Sequence, residues 1–136
     1  MITKVDHIDL GVRNVEDFIS MFKKMGFEEV LRTSHQGGSV ELKLPGSNQV
    51  IFEIHKIKLG ENPCISHLAF LCDDIDKTCE DLTKKGIIFE EGPKGGTLPV
   101  YSPVSGRKSA SFRNPDGRRI QLVDAKRMKV EEKTDI

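Results

Sequence analysis

Two histidines occupy matching settings in this chain: Asp6-His7-Ile8 recurs as Ser66-His67-Leu68 at an offset of 60 residues. Val15 with Ile75, Phe22 with Leu82 and Gly26 with Gly86 share that offset, so what repeats is a structural half and not a short motif. Each half also closes on an apolar strand interrupted by one polar residue, Glu53 within Val50-Ile51-Phe52-Glu53-Ile54 and Gln121 within Arg119-Ile120-Gln121-Leu122-Val123. A pseudo-two-fold axis between the halves would bring four equivalent positions together, carrying His7, Glu53, His67 and Gln121. Two imidazoles, a carboxylate and an amide oxygen suit a borderline divalent ion such as Zn²⁺, Ni²⁺, Fe²⁺ or Mn²⁺. One strand histidine alone is more often a surface or hydrogen-bonded residue than a ligand; the repeated setting is what favours the metal. Asp9 and His55 lie two residues beyond His7 and Glu53, on the same strand faces, and suit the partners of ligands better than the ligands themselves. His35, in a Gly-rich turn, reads as solvated. Cys64, Cys72 and Cys79 fall on core faces, where reactive thiols are not expected.

The elements that must position these groups follow from the hydrophobic pattern. Val5 to Val12 alternates as a half-buried strand, with Ile8, Leu10 and Val12 on one face and His7 and Asp9 on the other. Asn14 offers a helix cap, and Val15, Phe18, Ile19, Phe22 and Met25 follow at helical spacing until Gly26 supplies a left-handed stop. Extended stretches are predicted over Glu28–Thr33, Val40–Leu44 and Gln49–Ile57, completing β-α-β-β-β. The second half repeats this order: a strand over Ile65–Cys72, a cap at Asp73 or Asp74, a helix carrying Ile75, Cys79 and Leu82, and Gly86 at its end. Strands are then predicted near Ile87–Glu91, Ser109–Arg113 and Arg118–Val123, the last two joined by an Asn114-Pro115-Asp116-Gly117 turn. The Gly- and Pro-rich Gly92–Gly106 segment breaks the symmetry and reads as a loop that could cover a site, with Tyr101, Arg107 or Lys108 available to polar or anionic groups.

Composition narrows the function classes. The 136 residues carry 21 basic and 21 acidic side chains, so the basic excess needed to bind a phosphate backbone is missing and no nucleic-acid partner is expected. The longest apolar run, Leu68 to Cys72, is far short of the roughly 20 residues that span a bilayer, and no membrane association is expected. An N-terminus without an export-type apolar run and three cysteines without a CxxC pair fit a reducing cytoplasm. A single domain is expected over 1–125, with modules at about 3–57 and 64–124 and a charged tail over 126–136.

Asp6-His7-Ile8 with its following helix, Glu53 in its strand, Ser66-His67-Leu68-Ala69, and the run from Asn114 through Gln121 to Leu122 together resemble the vicinal oxygen chelate superfamily. That superfamily includes glyoxalase I, methylmalonyl-CoA epimerase, extradiol dioxygenases and the bleomycin resistance proteins. The resemblance implies an α+β fold in which two βαβββ modules form a cupped mixed sheet around one metal, often in a homodimer. His7, Glu53 and His67 match three ligand positions of bacterial glyoxalase I-like proteins, while Gln121 stands where the fourth is usually glutamate. An amide cannot take a proton at neutral pH, so Glu53 becomes the catalytic base candidate. Gly11 and Ile57 replace the arginine and asparagine with which glyoxalase I enzymes tend to hold glutathione.

The resemblance therefore implies a metal-dependent, glyoxalase-like lyase or isomerase that acts on a small carbonyl substrate through an enediolate. Alternatives are an epimerase acting beside an activated carbonyl, an Fe²⁺ dioxygenase, and a non-catalytic ligand-binding or resistance protein. The dioxygenase reading is weakened because the triad carboxylate would come from the position of Gln121.

Overall fold

The structure, a computed structural model, describes residues 1–34, 37–91, 99–102 and 106–125. Its elements run β1 (Ile2–Val12), α1 (Val15–Lys24), β2 (Glu28–Thr33), β3 (Ser39–Lys43), β4 (Ile51–Lys56), β5 (Cys64–Cys72), α2 (Ile75–Lys84), β6 (Val100–Ser102), β7 (Arg107–Arg113) and β8 (Arg119–Val123). The order β-α-β-β-β thus occurs twice. The expected α+β fold of two βαβββ modules with mixed strand pairing is what the chain adopts.

Two compact units divide the chain at Asp6/His7 within β1 and at His67/Leu68 within β5. In the unit of residues 7–67 the strands are hydrogen-bonded in the order β2-β3-β4-β1. Strand β4 runs parallel to β1 and antiparallel to β3. The apolar side packs Val12, Ile19, Phe22, Val40, Leu42 and Ile54 into one core, with Leu42 and Ile54 fully enclosed. Phe27 meets Phe22 and Phe52 there edge to face, and Phe22 and Phe52 tilt against each other, at ring separations of 4.8–5.6 Å. Helix α1 starts where Asn14 Oδ1 accepts the Asp17 N–H at 3.0 Å. It stops at Gly26, whose φ of +101° a side chain would strain. Met25, expected on the apolar stripe, is instead the exposed capping residue, because the helical turn carries it past the core.

The other unit contains residues 1–6 and 68–125 of the described chain, with strands in the order β1-β5-β8-β7-β6. Cys72, Ile75, Cys79, Ala110 and Leu122 form its core, against which Phe89 and Phe112 pack, edge to face with each other. Of the two candidate caps, Asp74 is used: its Oδ1 accepts the Lys77 N–H. The Asn114 to Gly117 turn is locked by Asn114 Oδ1, which accepts the Asp116 and Arg118 N–H groups, and by Gly117 at φ +82°.

One predicted strand is absent. Residues 87–91 make one ladder-type bond, from Glu90 N–H to Ser111 C=O at 2.8 Å, while Phe89 turns into the core. The edge position beside β7 is taken by β6, which pairs Val100 with Ser109 and Ser102 with Arg107. This strand lies inside the segment read from sequence as a loop. Residues 92–98 and 103–105 of that segment, His35 and the 126–136 tail lie outside the described residues. No helix among the described residues is long and apolar enough to cross a membrane.

Candidate functional site

The side of the 7–67 unit opposite its core carries the polar groups. Register fixes their arrangement: Asp9 is the β1 neighbour of Glu53, Glu53 opposes Glu41 across β3 and β4, and His55 opposes Ser39. Phe52 and Ile54 enter the core from either side of Glu53, so strand alternation turns Glu53 and His55 away from it.

His7 on β1 and His67 on β5 come together. Their Nε2 atoms are 3.2 Å apart, the rings nearly perpendicular at 83°, and both residues are buried. Glu53 Oε2 lies 4.0 Å from His7 Nε2. Behind the pair sits Asp9, fully buried. Its Oδ1 lies 2.9 Å from His55 Nδ1 and its Oδ2 lies 3.2 Å from His67 Nδ1. Burial pushes the Asp9 carboxyl up, but the His67 and His55 contacts outweigh it and hold the group below the usual aspartate value. It is therefore ionised at neutral pH, an acceptor that faces Nδ1 of both imidazoles.

This geometry bears on whether the residues fit a metal. Two imidazole nitrogens bound to one ion at about 2.1 Å stand roughly 3.0–3.4 Å apart for angles between square and tetrahedral. The observed 3.2 Å falls in that interval. A carboxylate behind a metal-binding imidazole is also the usual support for such a ligand. Among the described residues no group of three or more His, Cys, Asp or Glu side chains is placed to hold a metal ion, so the fit rests on the two imidazole nitrogens alone, with Glu53 Oε2 4.0 Å from His7 Nε2. Gln121, the fourth residue expected from sequence, lies on β8 in the other unit, opposite Ser111 of β7.

Sequence reasoning passed over Glu41. Directly opposed residues of an antiparallel pair share a face at about 4.5–5.5 Å between Cβ atoms, which makes Glu41, like Asp9 on the other side, a direct strand neighbour of Glu53. The signal was present, since Glu41 stands between the core residues Val40 and Leu42. Arg107 and Lys108, offered from sequence as contacts for anionic groups, are engaged within their own unit. Arg107 donates two bonds to Asp6 and Lys108 donates to Asp76.

Gly11 completes the picture. A Cβ there would stand 3.0 Å from Ile57 Cγ2 and 3.6 Å from His55 Nε2, so the two positions matching the glutathione-holding residues of glyoxalase I close on each other.

Comparison with known proteins adds the relationship. The fold resembles that of a Streptomyces coelicolor methylmalonyl-CoA epimerase variant in complex with 2-nitronate-propionyl-CoA, at 19% identity over 92% of this chain and 99% of that one, with a TM-score of 0.72. A methylmalonyl-CoA epimerase in complex with methylmalonyl-CoA and ammonium matches at 19% identity over 92% and 96%, TM-score 0.68. The epimerase from Mycobacterium tuberculosis matches at 20% identity over 90% and 88%, TM-score 0.64. At these identities the likeness establishes the fold alone. No curated protein sequence matches significantly. The model of the Glyoxalase/Bleomycin resistance protein/Dioxygenase superfamily matches residues 4–122, most of the chain, and the chain belongs to that superfamily.

Proposed function

We propose that this protein is a metal-dependent isomerase that moves a proton on the carbon beside an activated carbonyl, with a small acyl thioester as its first candidate substrate. The observation that carries the reading is the buried His7/His67 pair with Glu53 beside it. His7 and His67 would hold a divalent ion, and Gln121 is the further ligand expected from sequence. The bound ion would supply charge stabilisation for an oxygen that becomes negative as the carbon loses its proton.

The chain's own groups do the rest. Glu53 takes the proton: the carbon–hydrogen bond breaks, the proton passes to a Glu53 carboxylate oxygen, and the electron pair moves into the carbonyl as an enolate. Return of the proton to the opposite face of that carbon is epimerisation; return to the neighbouring carbon is the glyoxalase-type outcome. Glu41, next to Glu53, gives a second carboxylate to accept or return a proton. The epimerase outcome is favoured by two observations, the contact of Gly11 and Ile57 where glutathione would be held and the fold shared with enzymes that bind CoA esters.

The test is hydrogen exchange in deuterated water. Protein loaded separately with Zn²⁺, Co²⁺, Mn²⁺ and Ni²⁺ is given racemic methylmalonyl-CoA, other 2-substituted acyl thioesters and the hemithioacetal of methylglyoxal, and deuterium at the acidic carbon is read by mass spectrometry. Exchange above the protein-free rate is expected with at least one thioester, falling about 10²–10⁴-fold in Glu53→Gln. Exchange with the hemithioacetal alone would move the assignment to a glyoxalase. No exchange with any metal and any substrate would overturn the reading.

A further inference from the structure

Asp9 is an unusual residue to bury: a carboxylate with no exposed surface, on the strand that carries His7, facing two imidazoles that come from two other strands. The His55 side is a well-formed hydrogen bond at 2.9 Å. The His67 side is not. Asp9 Oδ2 and His67 Nδ1 face each other at 3.2 Å, yet each is a buried polar atom without an aligned hydrogen-bond partner. Two such atoms at that separation become a hydrogen bond once an N–H of His67 points along the line between them, and a buried polar group left unpaired is costly.

We propose that Asp9 is the positioning residue of this site: clamped by His55, it fixes His67 with the proton on Nδ1 and so aims a bare Nε2 lone pair at His7 and at a divalent cation held between them. The inference rests on reading His67 as a cation ligand. It also accounts for two features at once. The aspartate is fully buried because it serves the imidazoles and not solvent. His55, two residues from Glu53, points at the back of the site because its Nδ1–H fixes the Asp9 rotamer. The arrangement adds a negative charge one imidazole away from the cation. It makes His67 a stronger donor than an unsupported imidazole.

The experiment has two independent readouts. In the unloaded, ¹⁵N-labelled protein, long-range ¹H–¹⁵N correlation reports which nitrogen of His67 bears the proton. The expected result is Nδ1–H in the wild type and a mixture of tautomers in Asp9→Asn. Competition with a chromophoric chelator gives Zn²⁺ and Co²⁺ affinity, expected to fall about 10–100-fold in Asp9→Asn. Should Asp9→Asn not fold, His55→Leu, which removes the clamp and leaves His67 in place, is expected to shift the His67 tautomer in the same direction and weaken affinity by a smaller factor. A folded Asp9→Asn that binds both metals as tightly as the wild type would overturn the proposal, as would a wild-type His67 with its proton on Nε2. If the wild type takes up no metal, the reading of the site in the preceding subsection falls, and the tautomer measurement alone decides whether Asp9 orients His67.

Discussion

Replacing Arg107 separates two roles that its sequence position left open. It follows a Gly/Pro-rich segment, where an arginine could meet an anionic substrate, but the structure makes it a buried strut. Its Nη1 and Nη2 donate to the two oxygens of Asp6 at 2.9 and 2.8 Å, and its Nε donates to the Asp124 carbonyl at 2.7 Å. Both side chains of the ion pair are largely enclosed, at 7% and 16% exposure, so solvent screening is weak. Arg107→Ala removes the two guanidinium bonds to the Asp6 carboxylate and the donor to the Asp124 carbonyl. Breaking one partner out of a buried, hydrogen-bonded pair costs about 3–5 kcal/mol. For a chain of this length that is a drop in Tm of roughly 10–20 °C. Asp6→Asn should cost less, since an amide oxygen can still accept one guanidinium bond. The Asp6→Leu/Arg107→Met pair should recover much of the loss, because both uncompensated charges are then gone. Thermal denaturation followed by circular dichroism measures all three, and the double-mutant cycle gives the coupling. An Arg107→Ala protein that melts with the wild type but has a weakened substrate KM would refute this reasoning and return the residue to the site.

Two further outcomes follow from the electrostatics. Burial pushes the Cys79 thiol up to about 11 and raises that of Cys72, so iodoacetamide at pH 8 should alkylate the partly exposed Cys64 first, as read by peptide mass spectrometry; modification of Cys79 at the Cys64 rate in folded protein would contradict the packing. The Asp9 carboxyl is depressed in the folded state, so its contribution to stability is present above the unfolded aspartate value of about 3.9 and is lost as pH falls through the lower folded value. Urea midpoints measured from pH 6 downward should therefore fall more steeply below about pH 4 in the wild type than in Asp9→Asn.

Particular residues show why some of this was legible in the sequence. Asn14, Asp74, Gly26 and Gly86 set helix ends through bonds and backbone angles only a few residues long, and local chemistry of that kind is written in local sequence. Period-two alternation likewise turned His7, Asp9, Glu53 and His55 away from the core without any knowledge of their neighbours. The strand expected over Ile87–Glu91 failed because an apolar run states only that residues want burial; whether it pairs depends on which segment reaches the edge of β7, and β6 does.

What this sequence determined alone is a duplicated β-α-β-β-β plan with a histidine at the same place in each copy, since repeats, caps and alternation need only short-range interactions. Tertiary structure decided which side chains meet. Register put Glu41 beside Glu53 and joined residues up to 60 positions apart into the His7, His67, Asp9 and His55 cluster. It also took Arg107 out of the candidate site by giving it Asp6, 101 residues away. The physical reason is the range of the interactions: a hydrogen bond or an ion pair acts over about 3–4 Å, and only the folded chain fixes which distant residues come that close.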